Sequence, residues 1–163
     1  MSVSIIQGDV LKTSAKYICH QVNTFGVMGA GVALQIKKNY PHVYLEYNKF
    51  CSYHTPEELY GKVLRIEENK DRVFLNMFSQ IGIGGLSVNT NYEYFHECLL
   101  KIREMIPIGE EIAMPYMIGC GLAGGDWSII SADISDTLGL SHIVRLYDFN
   151  GVTSVKNNYE SLA

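Results

Sequence analysis

Glycine is gathered at junctions in this chain of 163 residues rather than spread along it. Two clusters, NTFGVMGAG from Asn23 to Gly31 and GCGLAGGD from Gly119 to Asp126, each follow a run of strand-forming residues and precede a helical stripe. A strand that passes through glycine straight into a helix is the building unit of an α/β sheet. The rest of the chain keeps that alternation. Residues 4–7 and 17–22 are short runs ended by polar residues and glycine, and both are expected strands. Between Gly29 and Asn39, Ala30, Ala33, Ile36 and Lys37 recur at helical spacing, with Pro41 just beyond. Residues 43–53 predict a further helix, and 62–66 and 73–77 predict two strands joined as a hairpin by the polar turn 67–72. From 92 to 105, Phe95, Cys98, Leu99, Ile102 and Met105 make one apolar stripe, which Pro107 ends. Residues 112–118 predict a buried strand, 127–138 a helix with Trp127, Ile130, Ile134 and Leu138 on one face, and 142–149 a last strand. The expected fold class is α/β, with a mixed central sheet covered on both faces and ligands bound at the carboxyl ends of its strands.

Composition excludes several classes of function. The length allows one domain with a full core. Thirteen basic against seventeen acidic residues give 13 − 17 = −4, which lacks the basic surface that drives general nucleic-acid binding. With 47% hydrophobic and 18% charged residues the chain is expected to fold. No apolar run approaches the roughly 18 to 20 residues that cross a bilayer. The opening MSVSIIQGDV has no basic stretch ahead of an apolar one, so no secretory signal and a cytoplasmic location are expected. Cys19, Cys51, Cys98 and Cys120 form no C-x-x-C pair, which fits reduced thiols. The single metal-like spacing, Cys51-x-x-His54, lacks two further ligands, and neither a metal nor another cofactor is expected.

Glycine at a strand-to-helix junction lets main-chain N–H groups approach a ligand at the positive end of a helix dipole, a setting that suits phosphate. Two such junctions at one sheet edge can hold the two halves of a diphosphate. There is no G-x-x-x-x-G-K-[ST], which excludes P-loop chemistry. The second cluster does match G-x-G-x-x-G, and Asp148 stands where the ribose-binding acid of a Rossmann unit could lie. Against that alternative, only 14 residues follow Phe149, too few to complete a sheet around a dinucleotide.

Taken together, Gly8-Asp9 after the first strand, His20-Gln-Val-Asn23 running into Gly26-Val-Met-Gly29-Ala-Gly31, and Met114-Pro through Ile118-Gly-Cys-Gly121-Leu resemble a macro domain, the ADP-ribose-binding fold. Within it the chain is similar to the branch of the terminal ADP-ribose glycohydrolases and the yeast-type ADP-ribose-1''-phosphate phosphatase. The resemblance implies a three-layer α/β/α domain over residues 1–149, with a tail at 150–163 outside it. It implies that Asp9, with Val10 beside it, receives the adenine amino group, an exocyclic amine that suits an acceptor-only carboxylate. Gly29, Ala30, Gly31 and Val32 match the loop against the distal ribose and a phosphate. Gly119, Cys120, Gly121, Leu122, Ala123 and Gly124 match the second phosphate loop, and Tyr147 and Phe149 the contacts to the adenine face.

The catalytic residues match less fully. The lysine of the glycohydrolase branch is missing, since none occurs from Asp71 to His96, and Ala123 stands where a well-known member has an acid. The remaining candidates are His20, which matches a histidine of the phosphatase, Asn23, which matches the asparagine on the distal ribose hydroxyls, and Asp126. Two of them have a structural alternative: a satisfied core histidine for His20, and the cap of the helix opened by Trp127 for Asp126. The implied activity is hydrolysis of an ADP-ribose derivative by water attack at the distal ribose or its phosphate. The alternative is a reader of ADP-ribose without chemistry. The expected partner is ADP-ribose or an ADP-ribosylated substrate, with no membrane and a monomeric chain.

Overall fold

The computed structural model describes residues 1–82 and 88–149. Alternating side chains, period two along each strand, place successive residues on opposite faces of one six-stranded sheet. Its strands are β1 (Ser2–Gln7), β2 (Tyr17–Val22), β3 (Val63–Asn69), β4 (Arg72–Phe78), β5 (Glu111–Pro115) and β6 (Ile143–Asp148). The order across the sheet is β1-β6-β5-β2-β4-β3. Every neighbouring pair is parallel except β3 with β4, the expected hairpin, which carries a register shift between Glu67 and Asn69. The sheet is mixed, as its sequence pattern indicates. The order excludes the Rossmann alternative, because β1 lies at an edge rather than at the centre of the sheet.

Helices cover both faces. On one side α1 (Gly31–Asn39), α2 (Pro41–Ser52) and the short α3 (Pro56–Leu59) bury Ile36, Val43, Tyr47 and Leu59 against Ile18, Phe74, Phe78 and Ala113 of the sheet. On the other, α4 (Tyr92–Met105) and α5 (Trp127–Thr137) bury Phe95, Leu99, Ile130 and Ile134 against Cys19, Leu75, Met114 and Leu146. Central β4 is buried at every position after Arg72, as a parallel strand packed on both faces must be. Edge strand β3 instead presents Arg65, Glu67 and Asn69 to solvent, which discourages pairing with another chain.

Three boundaries differ from expectation. β5 stops at Pro115, not at 118: Tyr116 N–H still donates to the Tyr147 carbonyl, and then Met117 takes φ 63°, a turn that residue type alone does not announce. The first helix opens at Gly31, two residues later than the helical spacing from Gly29 suggests, and Pro41 begins α2 at its first turn, where the missing N–H costs nothing. Helix α3 was not anticipated, although Thr55 and Glu58 close a reciprocal capping box around it, a signal present in the sequence. The 150–163 tail lies outside the described residues. Among the described residues no helix is long and apolar enough to cross a membrane, and no group of three or more potential metal ligands comes together. All four cysteines are buried free thiols.

Candidate functional site at the carboxyl edge of the sheet

Five parallel strands end on one edge, so the segments after β1, β2, β4, β5 and β6 gather there. A cavity of about 480 Å³ opens among them, lined by Asp9, Val10 and Leu11 after β1, by residues 29–32 with Leu34 and Gln35 of α1, and by Pro115, Tyr147 and Phe149. Eight of the residues expected to bind ligand are therefore brought together: Asp9, Val10, Gly29, Ala30, Gly31, Val32, Tyr147 and Phe149. Leu34 and Gln35 were missed. They lie three and four residues beyond Gly31 and so share its helix face, which the helical period itself could have signalled.

The two ends of the cavity differ chemically. At one end the 3-10 turn Val10–Lys12 is capped by Asp9, whose Oδ1 accepts from Leu11 N–H at 2.9 Å. Oδ2 of the same carboxylate takes no part in the cap, and Val10 N–H, the first amide of the turn, has no partner within it. An acceptor and a donor thus stand side by side. At the other end the cap position of α1 is Ala30, whose side chain cannot cap it, so the first amides of a nine-residue helix are left for a ligand. Gly31 takes φ 57° there, a left-handed conformation that costs a side-chain-bearing residue about 1–2 kcal/mol.

The loop ahead of α1 is built on Asn23. Its Oδ1 accepts from Phe25 N–H at 2.9 Å and from the buried Tyr47 hydroxyl at 2.8 Å, while Nδ2 donates to the Val27 carbonyl at 2.8 Å. One N–H of that amide remains. His20 lies deeper, 2% exposed within β2, where Nε2 meets Asn76 Oδ1 at 2.6 Å across the register with β4. Asn76 Nδ2 donates in turn to the Leu64 carbonyl, so its oxygen faces His20 and Nε2 must carry the proton. Burial pushes the imidazole down to about 4, against 6.5 for a free one, and Nδ1 is buried without a partner among the described residues. His20 is thus a neutral residue of the sheet interior and does not line the cavity.

The second glycine loop stands at the same edge beyond Pro115, yet Gly119, Cys120, Gly121, Leu122, Ala123 and Gly124 do not line the cavity. A partly buried relay holds it: Ser79 Oγ donates to Gln21 Oε1, Gln21 Nε2 to Thr90 Oγ1, and Thr90 Oγ1 to the Gly119 carbonyl at 2.5 Å. The main-chain amides of Asn89 and Thr90 both donate to the Ala123 carbonyl. The turn is so tight that a Cβ on Gly125 would stand 2.6 Å from the Gly119 oxygen. Cys120 is no nucleophile here, since burial pushes its thiol up to about 12. Asp126 caps α5, its Oδ1 accepting from Ser128 Oγ at 2.7 Å and Ser128 N–H at 2.9 Å, and these bonds hold its carboxyl below the usual range. The side chain is nevertheless exposed. Asp148, by contrast, is 1% exposed on the α4–α5 face, with neither oxygen partnered among the described residues, and does not line the cavity.

No protein-family model matches the chain. A 17.5 kDa uncharacterised protein of the tk–vs intergenic region of enterobacteria phage T4 is 31% identical over 151 residues, covering 84% of this chain and 90% of that one. A DNA ADP-ribosyl glycohydrolase of Mycobacterium tuberculosis is 43% identical over 44 residues, 27% of this chain and only 12% of that protein's length. Among solved structures, the macrodomain of Thermus aquaticus DarG superposes with a TM-score of 0.73 at 24% identity, over 90% of this chain and 97% of that one. Thermosipho africanus DarTG in complex with ADP-ribose gives 0.75 at 25% identity, over 99% of this chain and 46% of that one. With the sheet order, the two strand-to-helix loops and these likenesses in agreement, the chain has the macro domain fold.

Proposed function

We propose that the cavity binds ADP-ribose and that the chain hydrolyses an ADP-ribose derivative. The observation that carries this reading is the pairing of two unlike ends in one cavity: an acceptor and a donor at Asp9 and Val10, and the uncapped amides of α1. Adenine presents an amino donor beside a ring-nitrogen acceptor, the complement of the first end, and a diphosphate complements the second. Tyr147 and Phe149 offer aromatic surface to the base between them. Similarity to proteins named DNA ADP-ribosyl glycohydrolases, and to a protein solved with ADP-ribose, supports the same ligand and places a DNA-linked ADP-ribose among the first substrates to try.

For the hydrolytic step, Asp126 is the candidate with an exposed, ionised carboxylate, and it is proposed to take the proton of a water attacking the distal ribose. The water oxygen bonds to the anomeric carbon, the bond between that carbon and its acceptor breaks, and the acceptor leaves with the proton that Asp126 took from the water. Asn23 is proposed to hold the ribose hydroxyls with its remaining N–H. His20, neutral and enclosed, is proposed to support the loop rather than exchange protons with substrate. The absence of lysine from Asp71 to His96 favours a second reading, a binding module without turnover. Titration calorimetry with ADP-ribose, followed by product analysis on DNA-linked, protein-linked, acetylated and 1''-phosphorylated forms, separates the two. Binding with ADP-ribose release supports the hydrolase; binding without any product supports the reader; no binding removes both.

A further inference from the structure

The aromatic wall of the cavity is fastened from outside it. We infer that Thr13 is a positioning residue for ligand binding, acting through Tyr147; the inference rests on the ADP-ribose reading above. Thr13 is 4% exposed, just past the 3-10 turn, and its Oγ1 stands 2.7 Å from the Tyr147 hydroxyl. The same Oγ1 accepts from Ala15 N–H at 3.1 Å, and the Thr13 carbonyl accepts from Arg72 Nη2 at 2.7 Å. Residue 13 is therefore tied to its own loop and to the start of β4, and it offers Tyr147 a fixed partner. The Tyr147 side chain is held at both ends: its backbone lies in β6 between β1 and β5, and its phenol tip ends on Thr13.

A ring held in this way meets the ligand as a preformed wall. Without the hydroxyl pair the ring would have to be ordered on binding, and that ordering weakens affinity. Phe149, 57% exposed and without a polar tip, has no such anchor. A tyrosine at 147 is thus required for what its tip holds as well as for its face. The segment that supplies Asp9 and Val10 at one end supplies Thr13 at the other, so turn and wall are set by one stretch of chain.

The test is calorimetric titration of ADP-ribose and of AMP into the parent, Thr13→Val, Tyr147→Phe, the double variant and Thr13→Ser, at a temperature where circular dichroism shows all of them folded. Thr13→Val and Tyr147→Phe should each weaken both ligands about three- to tenfold, the worth of one hydrogen bond. The double variant should bind no more weakly than either single one, and Thr13→Ser should bind like the parent. A merely structural threonine would lower the melting temperature and leave these dissociation constants unchanged. Should Thr13→Val melt too early, Tyr147→Phe and Thr13→Ser decide by themselves: a weakened phenylalanine variant with a parent-like serine variant supports the tether. Unchanged affinity in Tyr147→Phe, additive losses in the double variant, or a loss confined to ADP-ribose overturns it. A parent that binds neither ligand removes the ADP-ribose reading and the tether's role with it, whereas a parent that binds and a Thr13→Val that binds equally removes Thr13 alone.

Discussion

His20 shows how one side chain's setting decides its role. A histidine at the end of an apolar strand, ahead of a glycine loop, has the residue type and sequence position of a general base. Depth is what the sequence does not display: His20 and Asn76 lie in register on adjacent strands beneath α1 and α2, and burial keeps the imidazole neutral. The unfolded chain takes up this proton near 6.5 and the folded one only near 4, so the fold gains stability from His20 above pH 6.5 and loses it as pH falls towards 4. His20→Gln keeps a donor for Asn76 and cannot titrate. Denaturant unfolding near pH 7.5 and pH 4.5 should show the parent losing about 2–3 kcal/mol more than His20→Gln on acidification. Equal losses would mean that the imidazole is not enclosed as described. Asn23 and Asp126 were expected at the site from the loops that contain them, and neither is among the residues that line the cavity. That each also builds its own loop, Asn23 by holding residues 25 and 27 and Asp126 by capping α5, follows from hydrogen bonds that composition cannot reveal.

At the scale of elements, the amino end of α1 is where structure and ligand compete for the same amides. Ala30 sits at the cap position with extended backbone and no polar side chain, a vacancy for an oxygen that the ligand is proposed to supply. Ala30→Asp should cap the helix, raising stability by about 1 kcal/mol, and should at the same time repel a diphosphate. Thermal melting and ADP-ribose titration of that variant are expected to move in opposite directions, with affinity reduced at least about tenfold. A variant that is more stable and binds as well as the parent would place the phosphates elsewhere. Most elements were legible because each had one dominant signal, such as the apolar stripe of α4 or the paired runs of the β3–β4 hairpin. The overshoot of β5 into 116–118 has a physical reason: tyrosine, methionine and isoleucine suit a strand, while tertiary packing, with Tyr116 set edge-on against Trp127 at 5.2 Å, turns the chain out of the sheet.

For the whole molecule, the central consequence of the fold is that parallel strands bring distant segments of chain to one edge. Strand type could be recognised locally; the order β1-β6-β5-β2-β4-β3 could not, because it depends on crossovers between residues more than a hundred positions apart. That order seats Tyr147 of β6 beside the turn that follows β1, and Pro115 of β5 beside both. The resemblance to macro domains supplied the expectation, and the cavity brings together the first glycine loop, the acidic turn and the aromatic wall, while the second glycine loop stands apart from its lining. The most direct test of the central claim is an amide ¹⁵N–¹H titration with ADP-ribose. The account predicts saturable shifts concentrated at Val10, Gly31 and Val32, with the β3–β4 hairpin unmoved; shifts confined to other surfaces, or none at saturating ligand, would contradict it.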